Sequence, residues 1–222
     1  MKLNNYFKKT WGIILNAFLP LDKNQKLLKN ISVEKFLSLT TPAQIPPLKN
    51  SIAIFSYKNK FTRQAIWSLK FKNNSKISQL FGQITYDYLI EELSELNLLT
   101  NFDKPILISI PITSKKKRER GYNQTELIAL EISKLDNNNS FEYRKNILKK
   151  IKNTLPQSRT RSKEERENNL KDCFKVIMPK LIHGRNIILL DDVITTGTTM
   201  NEAKKTLLKH NPKQIICVAL AH

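Results

Sequence analysis

The 222-residue chain is short of several things, and each shortage narrows what it can be. It has two cysteines, Cys173 and Cys217, far apart and each inside an apolar, strand-like run. No C-x-x-C pair occurs, so a cysteine zinc site is excluded, and two buried thiols in a reducing compartment are expected. Acids are scarce: 19 Asp and Glu face 38 Lys and Arg, a formal net charge of +19. Up to Lys72, Asp22 and Glu34 are the only acids. There are five glycines, and two of them, Gly121 and Gly197, fall in candidate ligand loops. Neither G-x-x-x-x-G-K-[ST] nor G-x-G-x-x-G is present, which sets aside the nucleotide-triphosphatase loop and the dinucleotide fingerprint. No apolar run is long enough to span a bilayer. No small-residue cleavage site follows the apolar stretch near the start, so a secretory signal is not expected and the location reads as cytoplasmic. The three histidines, His183, His210 and His222, fall in no recognisable catalytic arrangement.

What remains is an ordinary globular composition, 40% apolar and 26% charged, on a strongly basic chain. A positive field favours polyanions: nucleic acid, anionic lipid or a phosphorylated ligand. Lys, Asn and Ile are all abundant and share A/T-rich codons, so genome composition accounts for the charge equally well. Near the start, Phe7, Trp11, Ile14, Leu15 and Phe18 recur at helical spacing with Lys2, Lys8 and Lys9 beside them. That stripe fits a helix packed on the core, or a basic amphipathic helix on a membrane surface through residues 1–20.

The richest stretch is Ile187 to Thr199. The apolar run Ile187 to Leu190 predicts a strand covered on both faces. Asp191 and Asp192 follow at its carboxyl end, the edge where open α/β sheets bind ligands. Adjacent carboxylates suit the vicinal hydroxyls of a ribose. Thr195, Thr196, Thr198 and Thr199 supply hydroxyls, and Gly197 lets the backbone come close. A helix starting near Thr198 aims its free N–H groups at the same place, as a terminal phosphate requires.

The run Leu189 to Thr199, LLDDVITTGTT, resembles the phosphoribosyl-pyrophosphate (PRPP) signature of type I phosphoribosyltransferases. Ile110-Pro111-Ile112, leading into Lys115 to Gln124 with Arg118, Arg120, Gly121, Tyr122 and Asn123, is similar to the "P-x-P…R-x-R-G-[FY]-N-Q" block of the ComF family, the competence-associated branch of that fold. Leu155-Pro156-Gln157 with Arg166, Asn168 and Phe174 resembles a second ComF block. Tyr57 to Phe71, with Arg63, Ile66, Leu69 and Lys70, resembles a third. The blocks stand in family order over roughly residues 55 to 220. One departure is plain: many relatives carry an N-terminal four-cysteine zinc module, and here the corresponding sequence has no cysteine.

The resemblance implies an α/β fold, a parallel sheet flanked by helices, with a small N-terminal helical or hood region. The expected divisions are an N-terminal helical segment and Pro-containing linker over 1–50, a hood region over 51–100 and the transferase-like core over 101–222. Ser32 is read as the cap of a helix through Leu39, and Thr62 to Phe71, Lys76 to Leu93 and Asn123 to Leu135 as helices. Strands are expected at Ser51 to Tyr57, Pro105 to Ile110, Ile147 to Lys152, Phe174 to Met178 and Gln214 to Leu220. Ser162 with Glu165 makes a capping box. From Pro105 onward, strands and helices alternate, which argues for parallel pairing.

Site roles follow from the resemblance. Asp191 and Asp192 are the catalytic carboxylates, holding ribose hydroxyls and a hydrated Mg2+, with no direct protein ligand to the metal expected. Thr195, Thr196, Gly197, Thr198 and Thr199 anchor the 5′-phosphate. The basic loop Lys115 to Gly121 lies at the same sheet edge. There Arg118 and Arg120, whose guanidinium groups grip phosphate bidentately, are expected with Gly121 to bind pyrophosphate. Thr154 to Arg166, including Gln157, Arg159 and Arg161, reads as a polar loop that closes over the site. The chemistry implied is displacement of pyrophosphate from the ribose anomeric carbon by a nitrogen nucleophile. No residue pattern identifies that acceptor. A second reading therefore stands beside the enzyme: a competence factor that handles incoming single-stranded DNA, or a nucleotide-sensing regulator, on the same fold. Tyr57, Trp67, Phe71 and Tyr122 lie near basic residues, though packing in the core is the expected fate of each. A homodimer is compatible with either.

Overall fold

The computed structural model describes residues 27–28, 30–46, 48–152 and 170–222. The amphipathic stripe at 7–18, the capping box at Ser162 and the loop residues Gln157, Arg159, Arg161 and Arg166 lie outside the described residues.

Five strands form one parallel sheet: β1 (Ser51–Phe55), β2 (Ile106–Ser109), β3 (Glu142–Tyr143), β6 (Asn186–Val193) and β7 (Gln214–Ala221). Their spatial order is β1-β7-β6-β2-β3. A separate antiparallel pair joins β4 (Leu148–Lys150) to β5 (Phe174–Val176). The strand expected at 147–152 is thus real but outside the main sheet. Helices α1 (Val33–Leu39), α2 (Lys60–Phe71), α3 (Ser75–Thr100), α5 (Gln124–Leu135) and α7 (Thr198–Leu208) flank the sheet, with short helices α4 (Ser114–Arg120) and α6 (Pro179–Ile182) between strands.

Local chemistry explains the helix starts. Ser32, Asn59, Asn74, Thr113 and Asn123 each sit in extended backbone and accept from an N–H of the following turn, the arrangement that satisfies donors a helix leaves open. The helix expected at 76–93 runs on to Thr100 because nothing breaks it before Asn101, which closes it in left-handed backbone, φ 51°.

β6 carries the fold. Ile188 and Leu190 enter the core on one face, with Phe36, Phe81 and Leu107. Ile187 and Leu189 enter the other, with Ile106, Met200 and Cys217. All four are fully buried, each contributing about 1.5–3 kcal/mol by the usual transfer scale. The continuous apolar run is therefore a strand covered on both sides, as expected. Burial pushes both cysteine thiols up to about 11.

The core runs across residue 100. β1 pairs with β7 from Ser51↔Cys217 to Phe55↔Ala221, and α2 and α3 supply Leu69, Ile77 and Phe81 to the same core cluster as Leu190 and Val218. α3 also touches α5 closely: a Cβ added at Gly82 would overlap Glu131 Cβ, so no other residue fits there without displacing one helix.

The connections leave β2 and β6 in opposite senses. β2 continues outward to β3 and β6 outward to β7. α5 covers one face (Ile128, Ala129, Ile132) and α7 the other (Met200, Ala203, Leu207). The carboxyl ends of β2 and β6 thus flank a topological switch point, where a crevice opens. Among the described residues, no helix is long and apolar enough to cross a membrane.

Candidate functional site

A cleft of about 250 Å3 occupies that crevice. Asp191 and Asp192 line it from the end of β6, Thr195 and Thr199 from the turn beyond, Lys116 and Gln124 from the segment after β2, and Tyr57 and Lys70 from the β1–α2 side.

The two carboxylates are not equivalent. Asp192 is 5% exposed, and its Oδ2 takes the Lys70 ammonium at 2.9 Å and the Gln124 amide at 2.8 Å. Asp191 accepts from the Asp192 backbone N–H at 2.8 Å and from the Thr125 hydroxyl at 3.4 Å, both at Oδ1. Burial, reinforced by the neighbouring Asp192 charge, pushes Asp191 up to about 7. Burial works against the charge on Lys70, but the Asp192 carboxylate beside it leaves its pKa raised. Of the pair expected to hold ribose hydroxyls together, Asp192 is engaged by Lys70 and Gln124, and Asp191 by the Asp192 N–H and Thr125.

The threonine turn divides its work. Thr196 and Thr198 hydroxyls bond each other at 2.8 Å, while Thr195 and Thr199 line the cleft. Gly197 is the N-cap of α7 at φ 75°, and no side chain caps the helix. Gly197 brings no side chain to the cap position, where Ser, Thr or Asn stands in α1 to α5. A Cβ at residue 197 would lie 3.3 Å from Leu48 Cβ, so both backbone sign and space call for glycine.

The basic segment corrects an expectation. It is a helix, α4, rather than an open loop, with Gly121 as its left-handed C-cap at φ 91°. Residues four apart share a helix face, so Lys116 and Arg120 point one way and Arg118 another. Lys116 lines the cleft; burial, with the Arg120 and Lys70 charges nearby, lowers its pKa. Arg120 bonds the Gln124 side-chain oxygen and stacks over Phe71. Arg118 is exposed and away from the cleft, and Gly121 caps a helix rather than lining the cleft.

Lys70, Gln124, Thr125 and Lys116 were not singled out from sequence as site residues. Lys70 and Gln124 stand at the ends of two of the ComF-like blocks and Lys116 within the basic segment Lys115 to Gly121, which is the available signal; Thr125 carries none.

Comparison with known proteins bears on the fold. Residues 132–222 match the phosphoribosyl transferase domain family. Over 117 residues, 52% of this chain and 49% of the relative, the sequence is 38% identical to competence protein F of Haemophilus influenzae. The chain is similar to the ComF and YhgH proteins over much of its length. It is also 25% identical over 166 residues to DNA utilization protein YhgH of Escherichia coli K12, 74% of this chain and 68% of that one. Competence protein ComFC of Bacillus subtilis is 24% identical over 163 residues, 73% and 59% of the two chains. The aligned stretch spans about half the length of competence protein F. A five-stranded parallel sheet with helices on both faces is the fold expected of a type I phosphoribosyltransferase.

Proposed function

We propose that this chain binds PRPP with Mg2+ and transfers its phosphoribosyl group to a nitrogen acceptor. The observation that carries the reading is that the threonine turn and the start of α7 line one cleft with the Asp191 carboxylate, at the switch point of a parallel sheet. The 5′-phosphate would meet the N–H groups of Thr198 and Thr199 and the hydroxyls of the threonine turn. Asp191 would accept from a ribose hydroxyl. Lys116, with Lys70 behind it, would face the departing pyrophosphate, whose growing charge is what such a site must stabilise.

The donor set suits Mg2+ that arrives on the ligand. Among the described residues no group of three or more His, Cys, Asp or Glu side chains could hold a metal. One accessible carboxylate is what Mg2+ needs when phosphate oxygens and water fill its other positions. Bound there, Mg2+ supplies charge neutralisation at the pyrophosphate oxygens.

Titration calorimetry tests binding: PRPP with Mg2+ should release heat with wild type and at least about tenfold less affinity with Asp191→Asn. Pyrophosphate release against a panel of nitrogen acceptors then tests transfer. Absence of PRPP binding, or binding indifferent to Asp191, would overturn the reading.

A second reading has its own support. No Asp or Glu occurs between Lys35 and Tyr86, while Lys58, Lys60, Arg63, Lys70 and Lys72 all do. Relatives bear the names competence protein and DNA utilization protein. On this reading the chain handles single-stranded DNA, and the cleft binds its ligand without turnover.

A further inference from the structure

The solvent face of α2 holds an arrangement that neither core nor cleft uses. The buried face of this helix is Phe61, Ala65, Ile66 and Leu69. Trp67 and Phe71 lie off that face, four residues apart, with ring centroids 5.6 Å apart and planes tilted 40°. Phe71 is 55% exposed, against the expectation that it packs inside. Lys72 Nζ stands 5.2 Å from the Trp67 ring centroid and Arg120 Cζ 5.4 Å from that of Phe71. Two neighbouring aromatic rings thus each carry a cation, Lys72 on Trp67 and Arg120 on Phe71.

The surface is tied to the cleft. Tyr122 donates its hydroxyl to the Leu69 carbonyl at 2.8 Å and accepts from the Asn73 N–H at 3.0 Å, fixing the end of α2 against the turn after α4. Arg120 touches Phe71 on one side and Gln124 on the other, and Gln124 bonds Asp192 on the cleft wall. Lys70, between Trp67 and Phe71 in sequence, turns inward to the same carboxylate.

We propose that Trp67, Phe71 and Arg120 form a stacking platform for the bases of a single-stranded nucleic acid beside the sugar-phosphate cleft. Bases stack on aromatic rings and guanidinium planes whatever their identity, and lysines alongside track the phosphates. The absence of any acid between Lys35 and Tyr86 supplies the charge complementarity. A free base would instead call for an enclosed pocket with converging polar groups, whereas this face is open. The bases of a duplex are stacked on one another and present no free face to such rings. The platform rests on the DNA-handling reading and is independent of whether PRPP is turned over.

The chain has two tryptophans, Trp11 and Trp67, so Trp11→Phe leaves Trp67 as the sole indole reporter. Full-length Trp11→Phe protein is titrated with oligothymidylate of about 15 nucleotides, a length suited to one binding surface. Quenching of Trp67 emission is expected. Phe71→Ala should weaken binding about tenfold while Phe71→Tyr retains it, with melting temperature and PRPP affinity unchanged because Phe71 is exposed. Binding should fall steeply with salt. Strand binding that ignores Phe71→Ala and leaves Trp67 emission unchanged would sink the platform and leave the DNA reading standing. No strand binding at all would remove both. Quenching by a free base as strong as by the oligonucleotide would replace the strand with a small acceptor.

Discussion

The Lys70 ammonium sits 2.9 Å from Asp192 Oδ2, with the Gln124 amide on the same oxygen. A residue of α2 thereby claims one of two adjacent carboxylates. Removing either partner leaves a largely buried charge without its counterion. Lys70→Met and Asp192→Asn should each destabilise the fold by about 1–3 kcal/mol, reduced from the fully buried case because Lys70 retains some solvent contact. The double variant should lose less than the sum. Urea unfolding of the four proteins measures the coupling; strictly additive losses would deny it.

Asp191 gives the site a pH dependence of known sign. Its folded pKa of about 7 lies above the ordinary carboxylate value, raised first by burial and then by Asp192. A carboxyl raised on folding binds its proton more tightly in the native state, so stability declines as pH rises from about 4 through about 7. Asp191→Asn should therefore gain stability over wild type as pH rises across that window and lose the advantage toward its acid end. A ligand hydroxyl or Mg2+ needs the ionised form, so PRPP affinity should climb through about pH 7 in wild type and stay flat in Asp191→Asn. Thermal melts and calorimetry across the pH series check the two arms.

Gly197→Ala separates backbone sign from space. At φ 75° an alanine costs about 1–2 kcal/mol, and its methyl also meets Leu48 at 3.3 Å. Gly121→Ala carries a similar φ of 91° with nothing within 4 Å of the new methyl. Both should lower stability, the first by more, and the first alone should weaken inorganic phosphate or PRPP binding by displacing the start of α7.

Lys116 and Arg118 should part company in a binding assay. Lys116→Met should weaken pyrophosphate binding by about tenfold, the loss of roughly one charge-assisted contact. Arg118→Met, on the exposed side of α4, should stay within about twofold. Competition of pyrophosphate against labelled PRPP reads both; equal losses would mean that α4 unwinds when ligand binds.

Much of this was legible before any coordinates. β6 announced itself through Ile187 to Leu190 because a strand buried on both faces has no polar alternation to hide it, and Gly197 because few residues tolerate its backbone. The basic segment after β2 reads as a loop in sequence because Ser114 to Arg120 offers no apolar stripe, and its helix is declared by the Thr113 cap and the Gly121 stop. Reading it as irregular made Arg118 and Arg120 look equivalent, whereas helical spacing sets Arg120 with Lys116. The role of Lys70 was invisible for another reason. It depends on a contact between residues over a hundred positions apart, and no local pattern in α2 says which way a lysine will turn. β3 escaped because two residues, Glu142 and Tyr143, are too few for any periodicity.

α5 acts as a ruler. Its foot sets Gln124 on Asp192 and Thr125 on Asp191, and about two turns higher, at Glu131, it presses against Gly82 of α3. A helix advances about 1.5 Å per residue, so a methyl at residue 82 that pushed α5 even part of one step would carry an amide and a hydroxyl out of reach of both carboxylates. The spacing at the mouth of the cleft is thus calibrated by a missing side chain on a helix that does not line it.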